Sequence, residues 1–92
     1  MKVEVLYFAD LKDITGKDKE ICEINDNLKN LIDLLFNKYK LIKKSIWDEN
    51  SDYLKNSVRL AINDEIVNHQ NLLTHPLSDG DRVAFLLPLS GG

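Results

Sequence analysis

The sequence predicts an α+β fold, a mixed sheet of about five short strands with one major helix packed on one face. Three observations predict it. Strand-like runs rich in Val, Leu, Ile, Tyr and Phe stand at both ends of the chain, "KVEVLYFA" and "RVAFLL". A single long amphipathic segment, "NDNLKNLIDLLFNKYK", lies between the second and third predicted strands. Short turn signals punctuate the remainder, with no repeat, low-complexity run or linker. That order of strands, helix and further strands is an α+β layout. At 92 residues the chain is one domain, 1–92. Its 12 basic and 15 acidic side chains give a net charge of −3, the wrong sign for a nucleic-acid footprint.

The first strand spans residues 2–9. Val3, Val5 and Tyr7 share one face; Lys2, Glu4, Leu6 and Phe8 share the other, which begins charged and turns apolar. Something should cover the apolar end of that second face, or it is a contact surface. "ADLKDITG" reads as one or two helical turns, with Leu11 and Ile14 three apart and a stop at Gly16. "KDKEICEI" is the second strand. Its Cys22, the one cysteine in the chain, reads as a small buried hydrophobe and leaves the fold independent of disulfides.

In the major helix Leu28, Leu31, Ile32, Leu35 and Tyr39 recur on one face. Asn27 stands in the N-cap position, and Lys38 and Lys40 are expected at the C-terminal end, where cations suit the helix dipole. The following segment, 41–57, is expected to hold a short helix and a loop near residues 48–52, with Trp47 and Tyr53 anchoring it to the core. "VRLAINDEIV" reads as two strands around a turn at Asn63 and Asp64. A turn at "SDGD" uses Gly80 for a positive φ, and "RVAFLL" is apolar enough to be a central strand buried on both faces.

Catalytic signatures are missing from this pattern. His69 and His75 have no partner at a metal-ligand spacing, no nucleophile elbow surrounds a serine, and the glycines form no phosphate-cradling loop. "NKYKLIKK" is a short basic run of the kind that usually forms a solvated face. The N-terminal stretch carries Glu4 and Asp10 within its apolar residues, which predicts neither a signal peptide nor a membrane span; a cytoplasmic location is expected.

The unusual chemical object is the ending, "LLPLSGG". Pro88 fixes φ and cannot donate to a ladder, so it should end the last strand stiffly. Residues 88–92 can then extend about 16 Å at roughly 3.3 Å per residue. Leu89, Ser90, Gly91 and Gly92 taper to two residues without side chains, so the tail fits a channel no wider than a backbone. A carboxylate delivered there is inert until activated, for example as an acyl adenylate. The pattern is that of a chain acted on by other enzymes, rather than a self-contained enzyme.

Three stretches, "LYFADLKDITG", "VRLAINDEIV" and "HPLSDGDRVAFLLPLSGG", together resemble the small-subunit family of molybdopterin synthase, the sulfur carriers with a ubiquitin-like β-grasp fold. The resemblance covers most of the chain and is weakest over residues 41–57. It implies a sulfur carrier for molybdenum cofactor biosynthesis. A ubiquitin-activator-like enzyme would use MgATP to adenylate Gly92, and a sulfur donor of the cysteine desulfurase or rhodanese type would convert the adenylate to a thiocarboxylate. The tail would then deliver sulfur to a cyclic pyranopterin precursor inside the large synthase subunit. The chain itself would hold no cofactor and no metal, and would bind neither nucleic acid nor membrane. Carried onto matching positions, the resemblance makes Phe8, Ile66 and Leu86 the partner-binding patch and places Lys12 where the family often has arginine. The family's Pro-Pro-Val before the last Ser/Thr-Gly-Gly is Leu87-Pro88-Leu89 here, one proline fewer. Three other readings stay open at this level: a related carrier for thiamine thiazole synthesis, a ubiquitin-like protein modifier, and an interaction module with an inert tail.

Overall fold

The computed structural model describes residues 1–67 and 71–88. In chain order the elements are β1 (Lys2–Leu6), α1 (Asp10–Thr15), β2 (Lys19–Glu23), α2 (Leu28–Lys38), α3 (Lys40–Ile46), β3 (Trp47–Asp48), β4 (Tyr53–Leu54), β5 (Arg59–Ile62), β6 (Glu65–Val67), a 3₁₀ turn (Leu72–Thr74) and β7 (Arg82–Leu86). Five strands form one mixed sheet in the order β2-β1-β7-β5-β6. β1 and β7 run parallel and every other neighbouring pair is antiparallel.

One face of the sheet is the core. Val3, Val5, Tyr7, Cys22, Leu60, Ile62, Val83 and Phe85 meet Leu28, Leu31, Ile32 and Leu35 of α2 and Ile42 and Ile46 of α3 in a single buried cluster. The predicted face of the major helix is therefore the buried face. Asn27 caps α2 as expected: its side chain accepts from the Asn30 amide at 3.2 Å, and Asn30 Oδ1 accepts in return from the Asn27 amide at 3.0 Å. Gly16 ends α1 at φ 71° and Gly80 turns the chain at φ 87°, both in the left-handed region that favours glycine. Asn63 and Asp64, at φ 53° and 71°, form the predicted tight turn between β5 and β6.

The structure corrects two boundaries and adds a pair of strands. β1 stops at Leu6 rather than running to Ala9. The Tyr7 amide still follows the β1–β2 register, donating to the Asp18 carbonyl at 2.8 Å, but Ala9 sits at φ 51°, ψ −126°, outside any strand conformation. The long helix breaks at Tyr39 (φ −131°, ψ 92°), so Lys40 opens α3 instead of closing α2. Tyr39 leaves the helix where its hydroxyl donates to Glu20 Oε1 at 2.9 Å. Segment 41–57 holds the expected short helix, and in addition a two-stranded sheet, β3 with β4, around the expected loop. Trp47 and Tyr53 do pack against the core, and the Tyr53 hydroxyl accepts from the Leu72 amide at 2.8 Å.

Candidate functional site

The candidate site is the uncovered face of the sheet. Register places Lys19, Leu6, Ala84, Ala61 and Ile66 side by side across all five strands. α2 and α3 pack on the other face, so nothing among the described residues covers this row and Ile66 is 60% exposed. Ala61 and Ala84 are nevertheless buried, because strands and larger neighbours shade a methyl group from both sides. The row is thus two small residues between Leu6 and Ile66, a shallow apolar trough. Arg59 stands opposite Leu86 one step along, and Arg82 beside Glu4 on the other side, so charges border the trough.

Phe8 extends it. Strand alternation gives Phe8 the same side as Leu6, and it is 48% exposed while its neighbour Tyr7 is fully buried. Phe8 and Lys12 line one depression with Leu6, Ala9, Asp18 and Lys19. Lys12 is exposed there and pairs with Asp18 at 2.8 Å. That hydrogen bond raises the lysine pKa and lowers that of the aspartate, both at the surface.

Of the resemblance-derived patch, Ile66 and Leu86 stand on the open face by strand register, and Phe8 and Lys12 line a depression beside Leu6 at the end of β1. Leu86 and Leu87 are only partly buried and Pro88 is exposed, so β7 is central but not covered on both faces at its end. Leu89, Ser90, Gly91, Gly92 and His69 lie outside the described residues. The sequence reasoning missed Ala61 and Ala84 as the trough floor; the strand alternation of the "VRLAINDEIV" hairpin carried that signal. It also missed Asp18 as the partner of Lys12, which no spacing rule links.

A second cluster lies on the core side, at the edge of β2. Glu20 accepts from the hydroxyls of Tyr7 (2.8 Å) and Tyr39 (2.9 Å), from Lys17 Nζ (3.1 Å) and from Lys38 Nζ. Its side chain is 8% exposed. Burial pushes its carboxyl up, but hydrogen bonds from Lys38, Tyr7, Lys17 and Tyr39 outweigh this and hold it at about 2. The same burial and the Glu20 hydrogen bond push the Tyr7 hydroxyl far above its ordinary value. This cluster ties the end of β1, β2, α2 and the α1–β2 loop together, so it braces the segment that leads to Phe8.

A mixed five-stranded sheet with parallel central strands, one helical layer and one bare apolar face defines a ubiquitin-like β-grasp domain. The chain belongs to the ThiS family, whose profile matches residues 5–92. It is 29% identical, over the full length of both chains, to a molybdopterin synthase sulfur carrier subunit of Chlamydomonas reinhardtii. Among solved structures it is similar to small archaeal modifier protein 1 of Methanosarcina acetivorans (30% identity, TM-score 0.78, 99% of this chain and 96% of that one). It is also similar to a chain in the complex of subunits 1 and 2 of the molybdopterin-converting factor of Helicobacter pylori (28% identity, TM-score 0.65, all of both chains).

Proposed function

We propose that this chain is a cytoplasmic sulfur carrier, the small subunit of molybdopterin synthase, and that its reactive group is the carboxylate of Gly92. The observation that carries the reading is the apolar trough running up to Phe8 and Leu86, where β7 leads out through Pro88 toward the diglycine. A partner seated on that face would be in position to receive the tail. Full-length similarity to a sulfur carrier subunit supports the reading, as does similarity to a chain that is in complex with a second converting-factor subunit.

The chemistry would run in two displacements. A ubiquitin-activator-like enzyme joins the Gly92 carboxylate to the α-phosphate of MgATP, and pyrophosphate leaves. A sulfur nucleophile then attacks the acyl carbon and AMP leaves, which generates the thiocarboxylate. The large subunit would take that sulfur for a pyranopterin precursor. The chain's own residues contribute binding: Phe8, Leu86 and Ile66 by burial, Lys12 by charge at the rim.

The test is intact-protein mass spectrometry after incubation with an adenylating enzyme, MgATP and a sulfur donor. The expected result is a gain equal to exchanging one oxygen for sulfur, abolished by deleting Gly92. An unchanged mass with partners proven active on another carrier would overturn the reading. A second reading, a protein modifier, is favoured by the 30% identity to small archaeal modifier protein 1. Isopeptide conjugates through Gly92 in cells would be its signature.

A further inference from the structure

Between Asp33 and Asp48 the chain has no acidic residue and four lysines, Lys38, Lys40, Lys43 and Lys44: a stretch of charge +4 in a chain of net charge −3. The fold displays them on the helical layer. Ile42 and Ile46, four apart on α3, are buried in the core, which turns Lys40 and Lys44, also four apart, to the opposite side of the helix. Lys55 joins them from the hairpin, its Nζ donating to the Lys44 carbonyl at 2.9 Å. Lys43 Nζ lies 5.9 Å from the Phe36 ring centroid. Among the described residues only Lys38 of this group pairs with a carboxylate, that of Glu20. Leu41 sits among them 57% exposed, and Leu34 of α2 is also exposed. Like charges four apart on a helix repel, and an exposed leucine gains nothing in water. Neither feature helps this chain fold; both suit an acidic surface bound over α3.

We propose that the outer face of α3, centred on Lys40, Leu41 and Lys44, docks an acidic protein surface on the enzyme that delivers sulfur to the carrier. This rests on the carrier reading above. An acyl adenylate is hydrolysed readily, so sulfur must arrive while the tail is still held by the adenylating enzyme and the open sheet face is covered. α3 packs on the other side of the sheet and remains available to a second protein. The delivery step balances as follows. The terminal sulfur of a cysteine persulfide attacks the acyl carbon of Gly92, and the carbon–oxygen bond to AMP breaks. A second thiolate attacks the donor cysteine's sulfur in the resulting acyl disulfide. The sulfur–sulfur bond breaks, the thiocarboxylate leaves with the electron pair, and two thiols end as one disulfide.

Other anionic partners fit less well. Nucleic acid binding wants a basic domain, and this chain is acidic overall. An anionic membrane needs a wide apolar stripe, but α3 spends Ile42 and Ile46 on the core and leaves Leu41 outside.

The test uses the full chain and its Lys40→Glu/Lys44→Glu variant with an adenylating enzyme, MgATP and one of two donors, a persulfide-loaded cysteine desulfurase or inorganic sulfide. Sulfide needs no docking. Pyrophosphate release and the sulfide reaction are expected to be equal for both proteins. Thiocarboxylate formation from the desulfurase is expected to fall about tenfold or more in the variant, and in the native chain to fall as salt rises from about 50 to about 300 mM. Equal desulfurase-dependent rates would overturn the proposal. So would a parallel loss of pyrophosphate release, which would assign the face to the adenylating enzyme. Binding of the native chain to duplex DNA or phosphatidylglycerol vesicles, lost in the variant without change in sulfur transfer, would overturn it too. Absence of pyrophosphate release from the native chain would instead remove the carrier reading, and this proposal with it.

Discussion

The Tyr7 hydroxyl donates a 2.8 Å hydrogen bond to Glu20 Oε1 across the β1–β2 pair, while the next residue, Phe8, faces the opposite way into solvent. The buried side of β1 is thus anchored by one carboxylate that also gathers Tyr39, Lys17 and Lys38. Glu20 is held at about 2 in the folded chain against 4.5 ordinarily. A depressed carboxyl stabilises the fold above its unfolded value, and that contribution is lost as pH falls from about 4.5 toward about 2. The full shift corresponds to roughly 3 kcal/mol, and the half-exposed lysines reduce this to about 2. Urea unfolding at pH 7 and near pH 3 should show the loss in the native chain and a much smaller one in Glu20→Gln. An equal acid dependence in both would remove Glu20 as its source.

Ala9 should be more stable as glycine. At φ 51° and ψ −126° it occupies a region that glycine alone enters easily. Relief of strain exceeds the extra unfolded-chain entropy of glycine, so Ala9→Gly should stabilise by about 1 kcal/mol in urea titrations. A loss of stability would mean the junction carries no strain.

The long-range plan of the fold was legible because it rests on periodicity. The buried face of α2, the caps at Asn27 and Gly16, and the Asn63-Asp64 turn each follow from local rules that the fold leaves undisturbed. The break at Tyr39 was not legible, because no glycine or proline marks it. A hydroxyl–carboxylate contact spanning 19 residues accompanies it, and tertiary contacts of that kind leave no local trace. For the site, alternation in β1 already set Phe8 apart from Tyr7. The trough floor needed the strand order, since Ala61 and Ala84 become neighbours only when β5 pairs with β7.

Cys22 should be chemically silent in the native chain. It is 3% exposed, and burial, aided by the Glu20 charge, pushes its thiol above the ordinary value. A disulfide-exchange reagent at pH 8 should label it at least about a hundredfold faster in denaturing urea than in buffer. Rapid labelling of the folded chain would place the thiol at the surface and contradict its position in the core.

Ile66→Lys separates binding from folding. Ile66 is 60% exposed on the edge strand β6, at the end of the row that starts with Lys19 and crosses Leu6, Ala84 and Ala61. Nothing among the described residues covers it, so stability should change by about 0.5 kcal/mol or less. If a partner seats on the trough, however, the lysine must give up its water against an apolar surface. Affinity for the large synthase subunit should then fall about tenfold to a hundredfold, roughly 1.4–3 kcal/mol. Calorimetric titration of the large subunit with native and variant chains, beside matched unfolding curves, reads both quantities. Unchanged affinity with unchanged stability would move the partner off β6 and confine the contact to the Phe8 and Leu86 end of the face.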